Sequence, residues 1–169
     1  LILTSVICLF TMLQMTFAQY QLENAGFEEW KSTSLPVGWN TYETAQGDYA
    51  SFASSDKQCK QGDAHTGNHS VCAIGRKIFA SIIGNGIVTS GVINAGAMSA
   101  TDQSNNNQTV KDEQDKNMRF IGRPDSVVAW IKAVPKDASQ LGRFYVMLHD
   151  DNNLQDPGTT WEYVIAVAG

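Results

Sequence analysis

The sequence predicts an all-β fold, a β-sandwich, on three observations. Apolar residues fall in short runs separated by Gly, Asn, Asp, Ser and Pro. Several of these runs alternate apolar and polar with period two. Stretches with helical periodicity are scarce. Of the 169 residues, 43% are hydrophobic and 17% charged, which is ordinary for a globular chain and too apolar for wholesale disorder. The length fits one domain. Twelve Lys and Arg against 17 Asp and Glu leave a net charge of −5. A phosphate backbone requires a basic stripe that this balance does not supply, so nucleic acid is not an expected partner.

Taken in order, residues 1–17 carry no charge, and the first charged side chain is Glu23. The run Leu-Ile-Leu-Thr-Ser-Val-Ile-Cys-Leu-Phe reads as the apolar core of a signal peptide, with Thr16-Phe17-Ala18 as its cleavage site. Thr4, Ser5, Thr11, Gln14 and Thr16 make the stretch too polar for a membrane span, which needs about 20 apolar residues. The expectation is a signal peptide over 1–18, an exported β-sandwich domain over 19–169, and no stable membrane span. The chain starts with Leu1, and the basic n-region is expected ahead of it. Residues 161–169 form an apolar run, after which further strands are expected.

Within the domain, residues 70–74 and 87–93 are short strand candidates. Val127, Ala129, Ile131 and Ala133 alternate with Val128, Trp130, Lys132 and Val134, and Pro135 ends the run, so a strand is predicted there with Trp130 in the core. Residues 144–149 alternate in the same way until Asp150-Asp151-Asn152-Asn153 breaks the pattern. Trp161, Tyr163, Ile165 and Val167 make a further set. Residues 99–117 hold only Ala100 and Val110 as apolar members, and read as a long, disordered polar loop.

The motifs exclude more than they assign. Gly84-Asn-Gly86-Ile-Val-Thr-Ser-Gly91 has its third glycine misplaced for a dinucleotide fingerprint, and its glycines read as turns around a strand. Neither His-Glu-x-x-His nor Gly-x-Ser-x-Gly occurs. Cys59, His65, His69 and Cys72 could all ligate zinc, but their spacing is not that of two close pairs on rigid turns. A Cys59–Cys72 disulfide and two free thiols both remain open. Glu28, Glu29, Asp150, Asp151, Asp156 and Glu162 are the carboxylates from which a glycosidase would draw its pair, although acids at strand ends are ordinarily solvated. Trp30, Trp39, Tyr42 and Trp161 are candidate platforms for the apolar faces of sugar rings, whose hydroxyls carboxylates, amides and Arg would bind.

Gln21-Leu-Glu-Asn24-Ala-Gly26-Phe27-Glu28-Glu-Trp30, followed by Leu35-Pro36-Val-Gly38-Trp39, is similar to the opening of many carbohydrate-binding jelly rolls. Gly67-Asn-His-Ser70-Val, Thr89-Ser-Gly91-Val-Ile93, and Gly122-Arg123-Pro124-Asp125-Ser126-Val-Val-Ala-Trp130-Ile-Lys132 follow in the same order, with Leu148-His149 and Asp156-Pro157 beyond. Together they resemble the carbohydrate-metabolism domain (PCMD) family of exported Bacteroidetes proteins. The resemblance runs from about Gln21 to Gly169. It implies a galactose-binding-like jelly roll, periplasmic or cell-surface placement and a role in glycan handling, with other surface glycan-utilisation proteins as partners. It brings no catalytic residues. Related jelly rolls hold a structural calcium near the Glu of an Asn-Gly-Gly-Phe-Glu opening. Glu28 matches that Glu and Ala25 replaces the first Gly, a single carboxylate against the six to eight oxygens that calcium requires. No other cofactor is expected.

The function expected is a non-catalytic glycan-binding module. Trp39, Tyr42 and Trp161 are the stacking candidates, and Arg123, Asp150 and Asn152 the polar partners, because they fall at or near predicted strand ends. A glycoside hydrolase using two of the carboxylates and a structural or adhesive surface protein are the alternatives.

Overall fold

A computed structural model describes residues 22–54, 58–79, 82–137, 139–158 and 161–168. The expected signal peptide at 1–18 lies outside the described residues. The described residues are all-β apart from one short helix and 3-10 turns. In chain order the strands are β1 (Trp30–Ser32), β2 (Leu35–Pro36), β3 (Cys59–Gly62), β4 (Ser70–Ala73), β5 (Arg76–Phe79), β6 (Ile82–Gly84), β7 (Val92–Ala95), β8 (Asn105–Thr109), β9 (Val146–His149), β10 (Leu154–Asp156) and β11 (Val164–Ala168). The helix, α1 (Ala50–Ser54), lies between β2 and β3. Among the described residues these strands pair antiparallel: β1 with β2, β3 with β4, β5 with β6, β9 with β11, and a three-stranded sheet in the order β10-β8-β7.

The three-stranded sheet holds most of the core. Val92 and Ile93 are 1% and 3% exposed. Consecutive strand residues point to opposite faces, so this sheet is covered on both sides. Ala95 and Leu154 are buried on the face of Ile93. The free edge of β7 is lined by the chain around 40–49: Gln46 N–H donates to Ile93 O (2.8 Å), Ala95 N–H to Gln46 O (2.7 Å) and Tyr49 N–H to Ala95 O (2.9 Å). Asn40 and Thr89 exchange a further pair of backbone bonds at 2.7 and 2.9 Å. The stretch 40–49 is thereby attached to the core sheet.

Several expectations need correction. Residues 99–117 are not a disordered loop, because they contain β8, the central strand of the main sheet. Asn is a poor strand former, but here the side-chain amides supply the bonds that a β-branched residue would replace by packing. Asn105 Nδ2 donates to Ser99 O (2.7 Å), Asn106 Nδ2 to Gln103 O (2.9 Å) and Gln108 Nε2 to Asn106 Oδ1 (2.9 Å). The connection from β7 is set by Asp102, whose Oδ1 accepts the N–H and the hydroxyl of Ser104 at 2.9 and 2.7 Å, and these bonds lower its carboxyl pKa.

Residues 127–134 form no strand despite their alternation. Trp130, expected in the core, is 74% exposed and lies flat against the ring of His65, with centroids 3.9 Å apart. The alternation selects an extended chain, but no neighbouring strand is paired with it, so its apolar side chains Val128, Ile131 and Val134 face outward. Trp161 opens a 3-10 turn (Trp161–Tyr163), and the ladder begins only at Val164. The strand expected over 87–93 is displaced to β7, behind Gly91. The candidates at 70–74 and 144–149 correspond to β4 and β9.

Candidate functional site

The segment that carries the family-like motif is a hydrogen-bonded knot. Asn24, at φ 45°, donates from Nδ2 to Glu29 O and Val37 O, both at 2.9 Å, and accepts the Glu29 N–H at 3.1 Å. One side chain therefore fixes both ends of the β1–β2 hairpin. Trp30 Nε1 donates to Phe27 O (2.6 Å) and Trp39 Nε1 to Glu23 O (3.1 Å). The Phe27 ring sits 4.9 Å from that of Trp39, centroid to centroid. Trp39 is thus held by its edge and by one aromatic neighbour, and stays half-buried at the surface.

Facing it is the stretch 110–119, built around a 3-10 turn (Gln114–Lys116). Asn117 Nδ2 donates to the carbonyls of Val110 (3.0 Å), Lys111 (3.2 Å) and Glu113 (2.6 Å), closing the stretch on itself. Lys116 Nζ pairs with Glu113 Oε2 at 2.6 Å, and Lys111 N–H donates to Asn153 Oδ1 at 2.9 Å, beside β10. The two walls are joined by Asn40: its buried side chain donates from Nδ2 to Asp115 O (2.6 Å) and accepts the Thr44 hydroxyl (2.8 Å).

Two recesses lie between these walls. One, of about 160 Å³, is lined by Trp39, Glu23, Lys31, Gln114 and Asp115 among others. The other, of about 580 Å³, is lined by Lys111, Asp112, Asn117, Met118 and Arg119 and also by Glu23 and Gln114. Glu23 and Gln114 line both recesses, which adjoin there and together are called the groove. It combines a single indole with carboxylates, amides and cations.

Of the predicted site residues, only Trp39 lines this groove. Tyr42 begins the 3-10 turn Tyr42–Thr44, half-buried, and burial raises its phenol pKa. Asp150 and Asn152 form an exposed turn after β9, in which Asp150 Oδ1 accepts the Asn152 N–H and Nδ2 at 3.1 and 2.9 Å. Asp150 N–H donates to Tyr163 O (2.9 Å), which brings this turn to the Trp161–Tyr163 turn, where Trp161 is 67% exposed. Asp150, Asn152 and Trp161 therefore gather at one end of the β9–β11 ladder. Arg123 is exposed in the extended stretch before β9.

The remaining candidates resolve individually. In the β3–β4 ladder Cys59 pairs with Ala73 and Lys60 with Cys72. Paired residues share a face and successive ones alternate, so Cys59 and Cys72 point to opposite sides of the hairpin and are both free thiols. Burial, then the charges of Cys72 and Glu43, push the Cys59 thiol up to about 12. His65 is occupied by Trp130. Among the described residues no three His, Cys, Asp or Glu are grouped to hold a metal. Glu28 does not fit calcium in this arrangement, because its oxygens accept the N–H groups of Asn68 (2.9 and 3.2 Å) and His69 (3.3 Å), donors that would oppose a cation. Asp156 accepts the Tyr145 hydroxyl, and burial, then this bond, raises that phenol to about 12. None of the six carboxylates considered for glycosidase chemistry lines the groove.

Sequence reasoning missed Glu23, Lys31, Lys111, Gln114, Asp115 and Asn117. Four of these fall in or at the end of the stretch read as disordered. Its density of amides and acids was the available signal. Comparison of the chain with protein-family models, with curated proteins and with solved structures finds no match. Among the described residues no helix is long and apolar enough to cross a membrane.

Proposed function

We propose that this protein is an exported, non-catalytic glycan-binding module of the galactose-binding-like jelly-roll type, acting at the periplasm or cell surface beside other glycan-utilisation proteins. The observation that carries the reading is Trp39, held by Phe27 and Glu23 in a recess whose lining joins the apolar Leu35 and Val37 to the polar side chains of Lys31, Gln114 and Asp115. An indole packs on the C–H face of a sugar ring. Glu23 and Asp115 accept hydrogen bonds from the ring hydroxyls, Lys31 donates, and Gln114 does both. The fixed walls favour retention, since little side-chain freedom is lost on binding.

The test is a glycan array probed with the signal-free chain, read with and without EDTA. Specific retention that Trp39→Ala abolishes supports the reading, and loss of retention in EDTA would contradict the arrangement in which Glu28 is taken up by the Asn68 and His69 N–H groups. Retention unchanged in Trp39→Ala would overturn the groove as the binding site. Turnover of a bound glycan would replace binding by hydrolysis.

A further inference from the structure

We infer that the groove selects an uncharged oligosaccharide long enough to run through both recesses, over a single sugar or an acidic polysaccharide. This rests on the glycan-binding reading and specifies its ligand class.

Volume is the first argument. Small-molecule sites occupy about 300–1,000 Å³. The recess at Trp39, at about 160 Å³, falls below that range, and the adjoining one, at about 580 Å³, lies within it. The only indole sits at the small end, so stacking anchors one ring there, while most of the space lies beyond Glu23 and Gln114. A ligand using both the anchor and the volume must cross that shared boundary.

Charge is the second. Lys31, Lys111 and Arg119 are matched by Glu23, Asp112 and Asp115. The lining has no surplus of either sign, and the chain as a whole carries −5. A polyanionic glycan would meet a repulsive long-range field and no excess of cations. Neutral hydroxyls, which donate and accept alike, suit a wall on which acceptors and donors are mixed. Rigidity is the third. Asn40 ties the walls together through Asp115 O, and Asn117 closes the 110–117 stretch, so both recesses are formed before the ligand arrives.

The experiment is calorimetric titration of the signal-free chain with neutral cello-, xylo- and manno-oligosaccharides of increasing length, and with oligogalacturonates, at low and high salt. At least one neutral series should gain about tenfold or more in affinity from one unit to three, with little dependence on salt. Lys111→Ala should remove most of that gain, whereas Trp39→Ala should weaken every length. Affinity independent of length, or tighter and salt-sensitive binding of oligogalacturonates, would overturn the inference while leaving glycan binding intact. Failure of every saccharide to bind would overturn both.

Discussion

The carboxylate of Glu28 occupies the space that a side chain on Gly67 would fill. Gly67 sits at φ +83°, and the next two N–H groups, of Asn68 and His69, donate to Glu28 at 2.9 and 3.3 Å. The two residues belong to separate parts of the chain and fit only because one of them has no Cβ. This latch holds the knot of 22–40 against the turn that leads into β4.

Replacing Gly67 with Ala should cost about 1–3 kcal/mol, from the left-handed backbone and the displaced carboxylate together. The midpoint of urea denaturation would fall accordingly. In a Glu28→Ala background the same change should cost less, because the displaced group is gone. An unchanged midpoint for Gly67→Ala would show that the latch does not exist.

Asn40→Ala removes the partner of Asp115 O and of the Thr44 hydroxyl at a buried position. A loss of about 1–3 kcal/mol is expected, visible as a lower melting temperature. Oligosaccharide affinity should fall with it, since the wall bearing Gln114 is no longer held. Full affinity in the variant would mean that the walls are positioned by something else.

Both thiols should stay reduced in air, and maleimide should label Cys72 in the native protein but Cys59 only after unfolding, as read by intact mass. A Cys59–Cys72 crosslink in the folded chain would contradict the β3–β4 register. Cys59 resists ionisation in the folded state, its pKa raised from 9.0 to about 12. The unfolded chain therefore releases its proton first, and the contribution of Cys59 to stability is complete below about pH 9 and lost as pH rises towards 12. Cys59→Ala should flatten this alkaline decline. Tyr145, raised to about 12, acts in the same sense, and Tyr145→Phe separates its share.

Trp130→Ala should cost about 0.5–1.5 kcal/mol, the loss of its stack on the His65 ring at an otherwise exposed position. A loss of about 3–5 kcal/mol, as for a buried aromatic, would place Trp130 in the core as the alternation of 127–134 predicts.

The contrast between Trp130 and Asn106 explains how far the sequence was legible. Period-two alternation reports that a segment is suited to a pleated, half-buried surface, but the strand that would pair with it lies elsewhere in the chain. Residues 127–134 have the pattern without the partner. Asn106 has the partner without the pattern: it sits in the central strand because side-chain amides bond locally to Gln103 and Gln108, and propensity does not register such bonds. The all-β class and the strands at 70–74 and 144–149 were readable because composition and local alternation suffice there. Trp39 was readable because an aromatic on a Gly-containing turn stands out. Its neighbours Gln114 and Asp115 were not, since the bond that places them, from Asn40, spans 75 residues and leaves no local trace.

That bond also has a history. Loop-closure entropy grows only logarithmically, so closing the 75-residue interval from Asn40 to Asp115 costs roughly 0.6 kcal/mol more than closing the 40-residue interval from Glu28 to Asn68. What separates the two events is the order in which the chain becomes available, N-terminus first. At about 5–20 residues per second, Asp115 is synthesised roughly 4–15 s after Asn40. During that interval the N-terminal knot can close on itself through Asn24 and latch onto Gly67, while one wall of the groove has yet to be made. The groove is therefore the last part of the N-terminal assembly to be completed, and a nascent chain that has not reached Asp115 presents Trp39 with nothing opposite it.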